Sequence, residues 1–171
     1  MQLDKTYNDK VFYGDVTFAG DVNLPDGVVD NADINSDADI AYSKLQHVHH
    51  CVIEQANGSA VADQESIVFI ATAPCTILAV EIMILTAAAG DSTVDVDVKK
   101  STGGGAFSSI LSAAEQIDST TVVRTLVEAT LSGTPTLADG DAIEIVIDAT
   151  VGTGTLPQGI IVDVTIAEEG Q

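Results

Sequence analysis

The chain has 171 residues, enough for one domain with an appendage or for two very small domains. It carries 26 acidic residues against six Lys and Arg, a formal net charge of −20. Such a charge repels nucleic-acid phosphates and anionic lipid headgroups, so nucleic acid and membranes are excluded as expected partners. Branched aliphatic residues supply much of the 46% hydrophobic content and Trp is absent, which favours β-structure with an aliphatic core.

Residues 1–50 contain short repeats in a field of Asp, Asn and Gly. Residues 14–18 (GDVTF) return as residues 20–24 (GDVNL), and residues 31–34 (NADI) return as residues 37–40 (DADI). Each unit has only one or two apolar residues, too few to bury a core of its own. We therefore expect residues 1–50 to form an extended arm that lies on another surface. The side chains expected to dock are Val11, Phe12, Tyr13, Val16, Phe18, Val22, Leu24, Ile34, Ile40, Tyr42 and Leu45.

Four further signals refine this picture. Pro25-Asp26-Gly27 predicts a tight turn within the arm, and residues 43–50 are compatible with either a short helix or an extended link. The first residues lack the apolar stretch of a secretory signal. Two cysteines, Cys51 and Cys75, form no disulfide framework and are expected to be buried thiols made in a reducing cytoplasm.

Residues 51–171 are predicted to form a second unit, an all-β domain. Apolar runs alternate with turn signals such as residues 137–141 (LADGD) and 156–159 (LPQG), and no crossover helix is evident. This pattern indicates an antiparallel β-sandwich of jelly-roll type. Residues 108–116 are compatible with one helical turn or with a strand around Ile110. The strands are predicted at residues 66–71, 76–85, 93–99, 121–131, 142–148 and 160–166.

Two groups of residues could in principle bind a metal. Asp33, Asn35, Asp37 and Asp39 copy the first ligand spacing of a calcium loop, but the sixth and twelfth positions hold Ala38 and Lys44 instead of Gly and Glu. Asx-type turns explain those acids better. His47, His49 and His50 cluster beside the thiol of Cys51, yet no second ligand pair stands at a zinc spacing. We expect neither metal nor cofactor. At the histidines we expect a hinge that packs either on the sandwich or on a symmetry-related copy of the chain.

No catalytic constellation is visible in the sequence. No Ser lies in a nucleophile-elbow motif, and Cys51 beside His50 in the chain is not evidence of an aligned pair. Asp95 and Asp97 share one face of a predicted strand, where they are expected to form a solvated surface with Lys99 rather than a glycosidase pair. Residues 103–105 (GGG) lack the Lys of a phosphate-binding loop. We therefore predict that the protein is not an enzyme.

Residues 38–45 (ADIAYSKL), after the NADI echo, resemble a segment of structural proteins from tailed bacteriophages. Residues 94–100 (VDVDVKK) with the following Gly-rich tip, residues 110–112 (ILS), residues 137–141 and the final residues 156–159 resemble parts of small β-sandwich virion proteins. The resemblance is to head-decoration (cement) and head-fibre proteins. Together these segments extend over most of the chain, although each motif is of low complexity.

The resemblance implies a location on the outer surface of a virion, with the arm lying on the major capsid protein. It also implies a homotrimer, with a dimer as the alternative, because several tethered arms let weak contacts act together. A second hypothesis is a receptor-binding or carbohydrate-binding sandwich of a phage fibre or baseplate. Glycan-binding surfaces usually display exposed aromatic rings, whereas Tyr7, Tyr13 and Tyr42 all lie in the arm. The decoration hypothesis is therefore preferred.

Overall fold

The computed structural model describes residues 47–168, which form ten β-strands and no helix. Every pairing between these strands is antiparallel. No segment of residues 47–168 is a helix of the length and apolar character needed to span a bilayer. The strands are β1 (His47–Glu54), β2 (Gln64–Ile70), β3 (Cys75–Met83), β4 (Thr93–Ser101), β5 (Phe107–Ser109), β6 (Glu115–Ile117), β7 (Val127–Glu128), β8 (Thr136–Leu137), β9 (Ala142–Thr150) and β10 (Ile161–Glu168).

The strands form two sheets packed as a sandwich. The first sheet has the order β1-β10-β3-β7, with β8 also paired to β3; the second has the order β2-β9-β4-β5, with β6 also paired to β4. When β5 with β6 and β7 with β8 are each counted as one interrupted strand, four strands lie in each layer. The order then matches the jelly roll, a sandwich of two antiparallel sheets with eight strands in all. The predicted antiparallel β-sandwich of jelly-roll type is confirmed.

Aliphatic side chains fill the space between the sheets. The alternation of β4 and β9 turns one face of each strand inward, and the central strand β10 does the same from the first sheet. Apart from two cysteines, the buried hydrophobic side chains of the described residues are Val, Ile, Leu and Ala. The aliphatic core predicted from composition is thus confirmed. Its inward residues from these three strands include Val94, Val96, Val98, Ile143, Ile145, Ile147, Val162, Val164 and Ile166.

Two of the local predictions need correction. The strand predicted at residues 121–131 is reduced to β7, because Asp118 accepts hydrogen bonds from the backbone N–H and the hydroxyl of Thr120, both at 2.7 Å, and holds a turn. Val122 and Leu126 are exposed in this region. Residues 108–116 contain no helical turn: β5 ends at Ser109 and β6 begins at Glu115.

One side of the sandwich is closed by a loop-to-loop contact. Between β5 and β6, and between β7 and β8, the chain leaves the sheet edges, and the two excursions pair with each other through the Leu111–Leu131 bridge. Ser112 N–H donates to the Thr130 carbonyl at 2.9 Å, and Ser132 N–H donates to the Ile110 carbonyl at 2.8 Å. The opposite side, formed by the edge strands β1 and β2 and called here the β1–β2 side, has no such interruption in either strand.

Candidate functional site

The predicted histidine cluster lies on β1 and is bonded to carboxylates of the same sheet. His50 Nδ1 is 2.8 Å from Asp163 Oδ2, and His49 Nε2 is 3.0 Å from Glu168 Oε2. These pairs fasten β1 to β10, its neighbour in the sheet. The histidines therefore belong to the first strand of the sandwich instead of a hinge before it. Among residues 47–168, no group of three or more His, Cys, Asp or Glu side chains is arranged to hold a metal ion.

Cys51 is placed where its thiol stays protonated. Burial raises its pKa, and the negative charge of Asp163 raises it further. His50 cannot activate the thiol, because neighbouring residues of a strand point to opposite faces: Cys51 is buried and His50 is exposed. The expectation that this pair is not a nucleophile and base agrees with the geometry. Cys51 and Cys75 are both buried, as predicted, and no disulfide joins them.

The outer face of the second sheet is strongly acidic. Asp95 accepts a hydrogen bond from Gln116 Nε2 at 3.1 Å, and Asp97 accepts one from Ser109 Oγ at 2.6 Å. Asp95 also lies directly opposite Asp148 of β9. The predicted polar face of Asp95, Asp97 and Lys99 is thus confirmed, and its two aspartates accept hydrogen bonds from a neighbouring hydroxyl and a neighbouring amide group.

Glu144 is the most unusual carboxyl group of this face. It is only 6% exposed and lies between Lys99 of β4 and Ile67 of β2 in the pairing register. Burial raises its pKa, the neighbouring charge of Glu65 raises it further, and Lys99 offsets part of the increase. A carboxyl group in such surroundings gains by taking up a proton.

A shallow depression lies beside the β2 edge. It has a volume of about 300 Å³ and opens widely to solvent. Asp63 on its rim already accepts a hydrogen bond from Ala149 N–H at 2.8 Å. Three of its six lining residues are acidic, so the depression is unsuited to an anionic ligand. The six lining residues are Asp63, Gln64, Glu65, Val146, Ile147 and Asp148.

At one end of the sandwich, a buried carboxylate holds several loops together. Asp141 accepts hydrogen bonds at 3.0 Å from the backbone N–H groups of Ala138 and Gly103. Lys100 Nζ lies 3.0 Å from the same carboxylate. The hydrogen bond from Ala138 contributes most to lowering the Asp141 pKa, followed by that from Lys100. These bonds stabilise the ionised form, which gives this end of the domain a structural role.

The β1–β2 side carries apolar residues that sequence reasoning did not single out. Val48 and Val52 of β1 are 51% and 52% exposed, and Ile67 and Ile70 of β2 are 58% and 62% exposed. The sequence predicted a strand at residues 66–71, but neither alternation nor composition shows that a strand will lie at a sheet edge.

The predicted docking side chains of the arm lie outside the described residues. This holds for all eleven from Val11 to Leu45, for the calcium-like segment 33–44 and for the turn at residues 25–27. Strand β1 begins at His47, a few residues before the predicted boundary at residue 50. The division into residues 1–50 and 51–171 therefore stays a prediction.

Comparison with known proteins gives similarities of architecture. No protein-family model matches the sequence, and no curated protein sequence matches it. The structure is similar to a chain in the capsid of Ralstonia phage GP4, with 16% identity, a TM-score of 0.49, and coverage of 73% of this chain and 86% of that one.

Two further similarities are to infectious bursal disease virus. For the Gx strain the identity is 11%, the TM-score is 0.37, and coverage is 74% of this chain and 34% of that one. For the Gt strain the corresponding values are 11%, 0.37, 88% and 38%. The chain thus spans little more than a third of those birnavirus chains. A fold can serve many functions, so no activity is carried over from these structures.

Proposed function

We propose that this protein is a structural component of a phage virion that binds the outer surface of the capsid and reinforces it. The observation that carries the proposal is the arm: short repeats with too few apolar residues for a core, ending in the ADIAYSKL segment that resembles phage decoration proteins. Such an arm can gain main-chain hydrogen bonds and fill pockets when it pairs with the sheet edge of another protein. The major capsid protein is the partner proposed for it.

The described domain has the features expected of a compact unit that is attached to the capsid through the arm. Its core is filled by aliphatic side chains, and its loops are tied to one another by backbone hydrogen bonds. The depression beside the β2 edge is shallow, open and acidic. These features favour attachment through the arm over recognition of a small ligand.

The glycan-binding alternative has less support. Between residues 47 and 168 the aromatic side chains apart from histidine are Phe69 and Phe107, and both are half-buried. Phe69 packs on the His49 ring, with centroids 5.4 Å apart. Neither ring therefore offers the exposed flat surface on which a sugar usually stacks. The proposed function remains capsid decoration, without an enzymatic activity.

Removing the arm tests the proposal. A variant lacking residues 1–45 keeps β1 whole and should fold, because the described core lies within residues 47–168. It should no longer sediment with undecorated capsids, whereas the full chain should. Circular dichroism and thermal melting verify the fold of the truncated protein. Sedimentation of both proteins with equal affinity would refute attachment through the arm.

Substitutions in the arm provide a matched comparison. Val16 and Phe18 are predicted docking residues, whereas Thr17 and Ala19 occupy the alternate positions of the same segment. If the segment binds as an extended strand, only one set of side chains enters pockets of the partner. The double change Val16→Asp with Phe18→Asp should therefore weaken capsid binding far more than Thr17→Asp with Ala19→Asp. Equal losses of affinity would show that the added negative charges weaken binding, and that the Val16 and Phe18 side chains do not enter pockets of the partner.

Self-association is part of the proposal. The resemblance favours a homotrimer over a dimer, and either would let several weak arms act together at one site on the shell. The solution mass of the free protein and its copy number per capsid distinguish these states. A monomer that also binds the shell as isolated copies would overturn the expectation of self-association.

A further inference from the structure

Among the strands of residues 47–168, β1 has a partner on one edge only, and its sequence carries no feature that protects the second edge. On its other side β1 pairs with β10 through all eight residues, without a register shift. It contains neither Lys nor Pro, and edge strands commonly use those residues, or a bulge, to prevent unwanted pairing. The other described edges are protected: β2 has a register shift between Ile67 and Phe69, and the edges at the opposite side consist of short strands of two or three residues.

The pairing register shows which backbone groups of β1 face outward. Gln55 N–H donates to the Ile160 carbonyl at 2.9 Å, immediately beyond the Glu54–Ile161 pair. Hydrogen-bonded pairs alternate along an antiparallel ladder, so the odd-numbered residues of β1 bond to β10. Val48, His50 and Val52 consequently turn their N–H and C=O groups away from the sheet. Among the described strands, none pairs with this edge.

The same three residues form a self-complementary set. Val48 and Val52 are each about half exposed and lie two residues to either side of His50. A two-fold axis at His50 places Val48 of each copy opposite Val52 of the other copy, so the interface contains two equivalent Val48–Val52 pairs. Cross-strand pairs of β-branched residues stabilise a sheet, and the two sets of outward backbone groups would complete each other's hydrogen bonds.

Charge also favours a second copy at this edge. Two copies with a net charge of −20 repel each other over most of their surface, but β1 has a single acid, Glu54, and all three histidines of the chain.

The register of the dimer decides which charges meet. On the outer face of the first sheet, Val52 begins a row of residues paired across neighbouring strands, and this row continues to Asp163, Glu81 and Glu128. In the His50-centred register this acidic row meets the neutral row of Val48, Ala167 and Thr76 from the other copy. Centring the axis on Val52 would instead align the two acidic rows.

We propose that two copies of this chain pair antiparallel through the free edges of β1, with His50 on the two-fold axis. The first sheet then continues across the dimer, and the interface closes on itself because the same surface is used twice. This dimer replaces the three-fold ring implied by the family resemblance, and it does not depend on capsid binding. A domain that forms the dimer but does not bind capsids would overturn only the proposed function.

The mass of the full chain in solution is the first test. Sedimentation equilibrium should give a dimer for the native protein and a monomer for the double variant Val48→Lys with Val52→Lys. The matched control is Ile67→Lys with Ile70→Lys, which puts the same charges on the edge of β2 and should remain dimeric. Melting curves verify that both variants are folded. A native monomer or trimer, or equal dissociation of the two variants, would overturn the proposal.

Cysteine cross-linking tests the register. In the proposed dimer, residue 50 faces itself across the axis, and the Cα atoms of a hydrogen-bonded pair lie about 5.5 Å apart, within the range of about 4.4–6.8 Å that a disulfide spans. His50→Cys should give a covalent dimer on mild oxidation, and Glu54→Cys should not. The native chain, oxidised in the same way, is the control for cross-linking through its two buried cysteines. Cross-linking of Glu54→Cys in preference to His50→Cys, or of neither, would overturn the register.

Discussion

At the scale of single residues, carboxyl groups in different surroundings have opposite effects on stability. Glu144 is buried beside Glu65, and its pKa is raised. Asp141 accepts two backbone hydrogen bonds and contacts Lys100, and its pKa is lowered. The folded protein therefore favours the protonated form of Glu144 and the ionised form of Asp141. Glu144 lies on β9 and Asp141 immediately precedes that strand, and only Asp141 is expected to contribute stability at neutral pH.

Glu144→Gln should raise the melting temperature at pH 7. Because the folded-state pKa of Glu144 is raised, its contribution is favourable below the unfolded pKa of about 4.3 and is lost as pH rises through the folded pKa. The amide cannot ionise, so the advantage of the variant should be largest at neutral pH and small near pH 4. Melting curves at several pH values check this. Asp139→Asn, which removes an exposed acid from the β8–β9 turn, is the control; an equal gain from it would indicate a net-charge effect.

Gly154→Ala should destabilise the fold strongly. A Cβ atom at this position would overlap the backbone carbonyl of Ala89, and the same two segments are joined by Ala89 N–H donating to the Thr155 carbonyl at 2.8 Å. Overpacking of this kind typically costs about 1–3 kcal/mol. At Gly105 a Cβ would approach only the Thr102 carbonyl, at 3.1 Å, so Gly105→Ala should cost much less. Chemical denaturation of both variants measures the difference, and equal costs would contradict the predicted overlap.

At the scale of strands, burial differs sharply along β3. Ile82 is fully buried and pairs with Val162 of β10 and Val127 of β7. Leu78, four residues earlier, is 50% exposed at a register shift between β3 and β10. Ile82→Ala should lower the free energy of unfolding by about 2–5 kcal/mol, and Leu78→Ala by no more than about 0.5 kcal/mol. Urea denaturation tests this, and a comparable loss at Leu78 would indicate that its exposed face is covered by another chain.

The sequence predicted strands well where alternation and burial agree. In β4 and β9 every second residue is apolar, and those residues form the core. The failure at residues 121–131 has a specific cause: Val122, Val123 and Leu126 have strand propensity, but hydrogen bonds to Asp118 and the positive φ of Arg124 (56°) favour turns. The Thr120–Asp118 hydrogen bonds are local, but Arg124 N–H donates to the carbonyl of Ile84, distant in the chain, at 2.8 Å, and local strand propensity does not include that contact.

The candidate interface was less predictable than the strands. The histidines were noticed as a cluster, but their partners Asp163 and Glu168 are more than 100 residues away in the chain. The position of β1 at an edge depends on β10, which pairs with it from the far end of the described domain. Long-range pairing of this kind leaves no periodic signal in the sequence of β1 itself.

At the scale of the whole molecule, a protein that bridges capsid subunits should stabilise the assembled shell. Such a protein binds the shell but not its separated parts, so mass action favours assembly in proportion to occupancy. Heads that carry the protein should rupture at a higher temperature than bare heads, and partly decorated heads should lie between. Calorimetry or release of packaged DNA on heating measures this. Equal rupture temperatures would refute reinforcement while leaving attachment intact.

The central position of β10 has a consequence for how the chain is made. Strand β10 separates β1 from β3 in the first sheet, yet it follows every other described strand in the sequence. During translation, β1 emerges from the ribosome early and cannot enter this sheet until β10 has also emerged. Folding that depends on such distant pairings is slow and leaves strands exposed to aggregation. The domain is therefore expected to complete its first sheet only after synthesis of β10, with β1 exposed to other nascent chains until then.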